Sequence, residues 1–480
     1  MSILDRESTV APAGYSRWLI PPAALAVHLS IGQVYAFSVF VVPLTRLIGI
    51  KASVPGSDWT QSQIAWIFSI AIVFLGGSAA IFGRWVERSG PRKTMLASAL
   101  CFGGGFAIAA LGVHLHQLWL IYFGYGAVGG CGLGLGYIAP VSTLVKWFPD
   151  RPGMATGMAI MGFGGGAFIG SNLSLALMTH FQEISKTAAG AVTNTGVAPA
   201  FLIMGAIYAV FIIFGSIIVR VPAADWKPAG YVPPAARQGG MITSAQVPLD
   251  QAWRTPQFWL LWIVLCLNVT AGIGILEHAS PMIQEIFKSK VTAATAGGFV
   301  ALLSLFNMAG RFVWSSFSDV IGRKQVYAVY LLLGAVLYLT IPFAGHAGNV
   351  ILFVTVTSVI ISMYGGGFAT APAYLKDLFG TMHVGAIHGR LLTAWSVAGV
   401  LGPVLVNRIR DHAIANHASG VGVYSSTMYV MAGLLLVGLI CNLSIRPVAE
   451  RYYHRETGGS APQPGMSSSQ ATPYAPGTPS

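Results

Sequence analysis

Charge is what this sequence has least of. Asp, Glu, Lys and Arg make up 9% of its 480 residues, where soluble domains carry about 25%. With 54% hydrophobic residues and 58 glycines, the chain has too little polar surface to wrap one water-soluble core. Cysteine is nearly as scarce. Cys101, Cys131, Cys266 and Cys441 all fall inside apolar runs and form no CxxC pair, so small buried hydrophobes are expected rather than disulfides or metal ligands. No nucleophile with a neighbouring base, no metal-spaced cluster and no cofactor motif occurs, so neither an enzyme nor a resident cofactor is expected. The net charge of +12 comes without a basic stripe or an aromatic–basic module, which argues against nucleic acid as a partner. A cleavable signal peptide is not expected: the first seventeen residues lack an apolar run, and the run that opens at Trp18 is too long for one. Two glycine-rich strings, Gly129 to Gly136 and Gly162 to Gly166, have no preceding strand and no following Lys-Ser/Thr. They read as close helix contacts, not nucleotide loops. No ATP-binding motif is present, so an ATP-driven activity is not expected.

Long apolar runs are what the chain has instead. Segments of spanning length fall near 18–44, 61–83, 94–113, 117–145, 153–180, 198–220, 256–283, 293–318, 325–344, 349–375, 384–407 and 424–446. These twelve spans predict an all-α integral membrane protein with the lipid bilayer as its surroundings. A segment over 1–17 precedes a six-helix bundle over 18–220. A linker rich in Pro, Gly, Ala and Gln, over 221–255, leads to a second bundle over 256–446. The remainder, 447–480, is mostly Gly, Ser, Pro and Thr from Thr457 onward and is expected to be disordered. Of the 27 basic residues, only Arg46, Lys51, Lys186, Lys288, Lys290, Arg408 and Arg410 fall outside the cytoplasmic side if both termini are cytoplasmic. The positive-inside rule favours that orientation.

The two bundles repeat each other at an offset of 232 residues. Glu87 to Arg92 aligns with Asp319 to Lys324, Pro140 with Pro372, Gly153 with Gly385, and Gly157 with Gly389. Duplicated six-helix halves point to a transporter that rocks around a central site.

Against this apolar background Arg311 stands out. Its surroundings, Ala296 to Phe317, are otherwise apolar or small apart from Asn307. Eight residues separate it from Asp319, which places it roughly 12 Å inside the membrane boundary, near the midplane of a core about 30 Å thick. An arginine there costs about 2.5–3.5 kcal/mol on insertion scales, so such charges face polar cavities and mark substrate paths. In the repeat, Arg311 falls on Ala79. The duplicated scaffold therefore does not need an arginine there, and a substrate site explains it better than packing.

Gly83-Arg84-Trp85-Val86-Glu87-Arg88-Ser89-Gly90-Pro91-Arg92 resembles the loop signature of the major facilitator superfamily, with Glu87 at the acidic position and Pro91 in place of a basic residue. The acid-Gly-basic pattern recurs as Asp319, Gly322, Arg323 and Lys324. Both sets, Gly83, Arg84, Glu87, Arg88, Gly90 and Arg92 included, are candidate gating elements, since the acids can receive helix amides or arginines from the neighbouring bundle. Longer strings narrow the likeness. Gly32 to Ser38, Val145 to Arg151, Asn307 to Arg311 and Tyr364 to Phe368 resemble the oxalate/formate antiporter family over essentially all twelve spans. The resemblance implies the major facilitator fold, a monomer in a bacterial plasma (inner) membrane, and a small carboxylate held midway between the halves. Oxalate-exchanging members pair an arginine in span eight with a lysine in span eleven inside an aromatic cage. The arginine maps onto Arg311, whose planar fork suits a carboxylate. The lysine is missing: its place is at or beside Trp395, and Gly385 to Asn407 holds none.

One cation matches a monocarboxylate such as formate, lactate or pyruvate. A dianion would keep an uncompensated charge, unless Arg390, about 7.5 Å lower on the helix and roughly 140° round it, served as a second cation. Tyr35, Tyr137, Tyr364 and Trp395 are the candidate cavity walls, each flat and apolar and the tyrosines with a hydroxyl to offer. Protons are candidate co-substrates through Glu277 or His28, whose groups titrate within reach of neutral pH when buried. A secondary carrier of a small organic anion is the function expected, with an oxalate-type exchanger and a non-transporting sensor on the same fold as alternatives.

Overall fold

The computed structural model describes residues 4–189, 194–232, 241–243, 245–288 and 290–454, with the backbone alone at 183–189, 277, 293 and 294. The 457–480 tail, expected to be disordered, lies outside the described residues. Among the described residues, twelve helices are long and apolar enough to cross a membrane: α1 Arg17–Ala36, α2 Gln61–Ser89, α3 Pro91–His114, α4 Leu118–Trp147, α5 Pro152–Gln182, α6 Val197–Ile218, α7 Pro256–Leu276, α8 Thr295–Ile321, α9 Arg323–His346, α10 Val350–Phe379, α11 Val384–Ala415 and α12 Gly422–Ser444. The chain is a multi-pass membrane protein built from two six-helix halves, α1–α6 and α7–α12. Several helices outrun the apolar segments that announce them: α2 continues to Ser89 and α11 to Ala415, because caps and turns, not hydropathy, end a helix. The first span is instead divided. It passes into a 3₁₀ stretch, Gly32–Ala36, before a short helix, Ser38–Leu44.

Both described ends of the chain and the linker lie at one face of the bundle. Val10 pairs with Val221 in an isolated parallel bridge, and His454 N–H donates to the Gln246 carbonyl at 2.7 Å. We call this the terminal end. At it, α2 turns into α3 through Gly90 (φ 82°) and α8 into α9 through Gly322 (φ 97°). A left-handed backbone at both hairpins accounts for the glycine in each copy of the loop motif.

The halves meet chiefly through two helix pairs, α2 with α11 and α5 with α8, which the 232-residue repeat exchanges. Close backbone approach makes these and the neighbouring contacts. A Cβ on Gly134 would lie 2.3 Å from the Leu75 carbonyl oxygen, and one on Gly166 would lie 2.4 Å from that of Leu29. The glycine strings are therefore helix contacts, as expected. The cysteines are all free, but only Cys266 is buried; Cys101, Cys131 and Cys441 are half-buried on helix flanks. A thiol is apolar enough to face lipid, so apolar sequence context alone does not place it in the core.

Gly310 sets the separation of α8 and α10, since a Cβ there would stand 2.1 Å from the Ser362 carbonyl oxygen, whereas one on Gly77 of α2 would meet nothing within 4 Å. Gly310→Ala should therefore lower the thermal unfolding midpoint of the purified protein by several degrees. Gly77→Ala should leave it unchanged or raise it slightly through helix propensity. Differential scanning fluorimetry in detergent checks both.

Candidate functional site

Arg311 is fully buried, at 0% exposure, on the face of α8 that meets α5 and α10. Two glycines make room for it: a Cβ on Gly365 of α10 would lie 3.1 Å from its Cγ, and one on Gly164 of α5 would lie 3.2 Å from its Nε. Its Nε donates to Asn307 Oδ1 at 3.0 Å, one turn back on the same helix. Nη1 points at the Ile160 carbonyl across 3.5 Å, and Nη2 makes no hydrogen bond within 3.5 Å, with the Tyr35 and Tyr137 hydroxyls the polar groups nearest the guanidinium beyond that. None of the ion pairs among the described side chains includes it. A guanidinium in a low-dielectric interior normally finds a carboxylate. This one finds two aromatic faces, with its Cζ 5.6 Å from the Phe163 ring centroid and 5.2 Å from that of Phe368.

The aromatics form a box around that charge. Trp395 packs on Phe368 (centroids 4.5 Å apart), on Phe163 (5.2 Å) and on Tyr137 (5.7 Å). Counted from the terminal end of each helix, Arg311, Phe163, Phe368, Tyr137 and Trp395 all sit about 15–17 Å up, a single level near the middle of the bundle. Tyr35 and Tyr364 lie a turn or more above it. Their hydroxyls share a hydrogen bond of 2.8 Å, which closes the box from the far side by joining α1 of one half to α10 of the other. The structure thus brings together Arg311, Tyr35, Tyr137, Tyr364 and Trp395.

Other candidates lie elsewhere. Arg390 turns away from the box: its Nη1 donates to the Leu249 carbonyl at 3.3 Å, its Nη2 lies 3.8 Å from Asp250, and its Cζ lies 5.2 Å from the Trp253 ring. His28 is fully buried beside Tyr137. The Glu277 side chain lies outside the described residues. Its neighbour His278 is hydrogen-bonded to Asn407 at 2.9 Å, and Glu285, one helical stretch on, holds Arg410 at 2.8 Å and the Tyr424 hydroxyl at 2.8 Å.

The loop residues split by sign. Each acid crosses to the opposite half and caps a helix N-terminus there. Glu87 accepts from the Gly385 N–H at 3.0 Å, and Asp319 accepts from the Gly153 and Met154 N–H groups at 2.9 and 2.8 Å. These are the same contact made twice, since 87 and 319, and 153 and 385, are repeat partners. Gly83 lets α2 approach α11, with Ala386 Cα 2.8 Å from where its Cβ would be. The bases stay nearer home. Lys146 binds Glu87 at 2.5 Å; Arg323 binds Asp319 at 2.5 Å and Asp377 at 3.2 Å; Lys324 donates to the Leu443 and Ile445 carbonyls, both at 2.8 Å. Arg92 lies 3.5 Å from the Ile217 carbonyl, Arg84 pairs with Asp250 of the linker, and Arg88 is exposed.

Sequence reasoning missed Phe163 and Phe368 as walls and Asn307 as the arginine's orienting partner. Phe163 was within reach, since it is the repeat partner of Trp395. Phe368 and Asn307 needed the helix faces to be known.

Comparison with known proteins agrees with this architecture. The family model described as Major Facilitator Superfamily matches residues 11–403 and 279–473, and the chain belongs to that family. It is similar to the oxalate:formate antiporter of Oxalobacter formigenes, with 24% identity over 81% of this chain and 83% of that one. It is also similar to apicoplast pyruvate carrier 1 of Toxoplasma gondii, with 22% identity over 88% of each chain. Among solved structures it resembles the outward conformation of FucP, a transporter of the same superfamily from E. coli, with a TM-score of 0.62, 16% identity, and coverage of 89% of this chain and 99% of that one.

Asn307→Asp would supply the counter-ion that Arg311 lacks, 3.0 Å from its Nε. An internal carboxylate should compete with any external anion, so added formate or pyruvate should raise the thermal unfolding midpoint of the wild type and not that of this variant, which should stay folded.

Proposed function

We propose that this member of the superfamily is a secondary transporter of a small monocarboxylate of the formate, lactate or pyruvate class, working by alternating access in a bacterial plasma membrane with both termini in the cytoplasm. The observation that carries the reading is the fully buried Arg311 without a carboxylate partner. A cation held at that cost in a dry aromatic box is best explained by an anion that arrives, is bound by the free Nη2 edge, and leaves. Phe163, Phe368, Trp395 and the tyrosines would enclose the small apolar body of the substrate. The named activities of two relatives, oxalate:formate exchange and pyruvate carriage, lie in the same chemical class.

The charge count favours one carboxylate over two. Trp395 stands where oxalate-exchanging relatives are expected to carry lysine, and Arg390 faces the linker instead of the box. Oxalate would bring a second negative charge into a cavity with nothing fixed to meet it. The twin caps from Glu87 and Asp319 would hold the terminal end closed. Their release, together with a new closure above Tyr35 and Tyr364, would expose Arg311 to the other side. The excess of lysine and arginine at the terminal end supports its cytoplasmic placement.

Purified protein in liposomes should take up one or more of labelled formate, lactate and pyruvate, and should exchange oxalate poorly. Arg311→Gln should abolish that uptake, by at least two orders of magnitude, while reaching the membrane in wild-type amounts. Full uptake by Arg311→Gln would refute the site. Absence of transport of every anion by the wild type would favour a non-transporting sensor.

A further inference from the structure

Beside Arg311 lies a second group of buried polar side chains that anion binding alone does not use. His388 of α11 is 1% exposed and His28 of α1 is 0% exposed. Tyr137 stands between them, its ring centroid 5.3 Å from that of His28 and 5.8 Å from that of His388. His28 Nδ1 lies 2.9 Å from the Ala24 carbonyl oxygen, which can only accept. Nδ1 therefore carries the hydrogen, and Nε2 of the neutral ring is a lone pair. That Nε2, both ring nitrogens of His388, the Tyr137 hydroxyl and Trp395 Nε1 are all buried without a hydrogen-bond partner.

A histidine kept for packing satisfies at least one nitrogen, as His278 does with Asn407. His388 satisfies neither. The duplication makes the departure sharper. The repeat partner of His388 is Thr156, whose hydroxyl donates to the Ala369 carbonyl of the opposite half at 2.8 Å. The repeat partner of Ala369 is Tyr137. One copy of this crossing is thus a closed hydrogen bond, and the other is an imidazole with both nitrogens open against a phenol whose hydroxyl faces the Arg311 guanidinium. The scaffold does not require a histidine here, as it does not require an arginine at 311. His388 also lies seven residues before Trp395. A turn at Leu392 divides α11 between them, and the Tyr137 ring packs on both, at 5.8 Å from His388 and 5.7 Å from Trp395, so the imidazole adjoins the box from below.

We propose that His388, with Tyr137 and His28 beside it, is the proton-binding wall of the anion site, so that one proton travels with each carboxylate. The inference rests on the monocarboxylate reading above. Its electrostatics follow from counting charges. In the empty box Arg311 already supplies one positive charge, which acts on His28 and Tyr137 directly and on His388 through its neighbour His28, so a second positive charge on this wall is disfavoured in a low-dielectric interior. A bound carboxylate cancels the first charge and removes that repulsion, so anion and proton each strengthen the binding of the other. The empty and the doubly loaded carrier then have the same net charge, and transport is electroneutral and driven by a pH gradient.

Of the other ionisable groups around this stretch, His383 at the start of α11 also keeps a buried Nδ1 without a partner, but it sits lower, among Glu87, Arg84, Lys146 and Asp250, and the rest are paired or lie to one side. Glu87 of α2 and Lys146 of α4 bind each other below it, Lys376 and Asp377 of α10 are paired with each other and Asp377 with Arg323, and α7 brings only Cys266 in its terminal half. Asp250, on the short helix below, lies with Arg84 and Arg390 on the linker side of α11. Within the wall His28 is the charge that reaches His388, and Arg311 is the charge outside it that reaches His28 and Tyr137.

The test is liposome transport of the monocarboxylate that the wild type carries, measured in two modes: uptake driven by an inward proton gradient, and counterflow at equal pH. The variants are His388→Gln and His388→Thr, the latter taking the residue that the other half uses. The wild type should accumulate substrate several-fold under the gradient, without dependence on membrane potential. Both variants should fall to the no-gradient level; since the proton no longer helps to hold the anion, their counterflow should need a several-fold higher substrate concentration for half-saturation but persist at saturation, which also shows that they fold and bind. Arg311→Gln should lose both modes. Wild-type uptake indifferent to the gradient, or gradient-driven uptake unchanged in the His388 variants, overturns this proposal and leaves the carboxylate site standing. Loss of counterflow in both His388 variants overturns it too, because His388 would then hold the anion or the fold. Failure of the wild type to move any carboxylate overturns the site and this proposal together.

Discussion

A single uncompensated charge in a low-dielectric interior organises this molecule. Arg311 is fully enclosed, donates one good hydrogen bond to Asn307 and keeps Nη2 free. The fold tolerates it because the surrounding surfaces are the faces of Phe163 and Phe368, whose quadrupoles return part of the lost solvation. Around it every packing choice follows. Gly164 and Gly365 make space, Trp395 closes one side, and the Tyr35–Tyr364 hydroxyl pair closes the top.

The duplication gives a background against which function can be seen. Contacts that appear twice, such as the Glu87 cap on α11 and the Asp319 cap on α5, belong to the scaffold and to whatever motion the halves share. Contacts that appear once mark what this chain does with the scaffold. Arg311 has Ala79 as its counterpart, and His388 has Thr156. Phe163 and Trp395 are partners that differ, and they meet face to edge at the centre, 5.2 Å apart. The side chains that break the symmetry are the ones that crowd the box.

The twelve spans, the two halves and the superfamily were legible in the sequence because hydropathy and the 232-residue offset are one-dimensional signals. Arg311 was legible for the same reason: a charge inside an apolar run needs no neighbours to be noticed. Tyr35, Tyr137, Tyr364 and Trp395 were suggested by depth and resemblance, and the structure brings them together. Which way a residue faces was much less legible. Arg390 is on the same helix as Trp395 but on another side, and it meets the linker. Phe368 lies in an apolar run where nothing separates a wall from an ordinary core ring. His388 went unremarked because its meaning lies in the absence of partners, which only three-dimensional structure reveals.

The most direct test of the anion site is a crystal structure of the purified protein with 2-bromopropionate, a monocarboxylate whose bromine can be located by anomalous scattering. A bromine peak inside the aromatic box, with the carboxylate on Arg311 Nη2 and lost in Arg311→Gln, is the result expected. A peak elsewhere, or one in the box that persists in Arg311→Gln, would contradict the central role of Arg311.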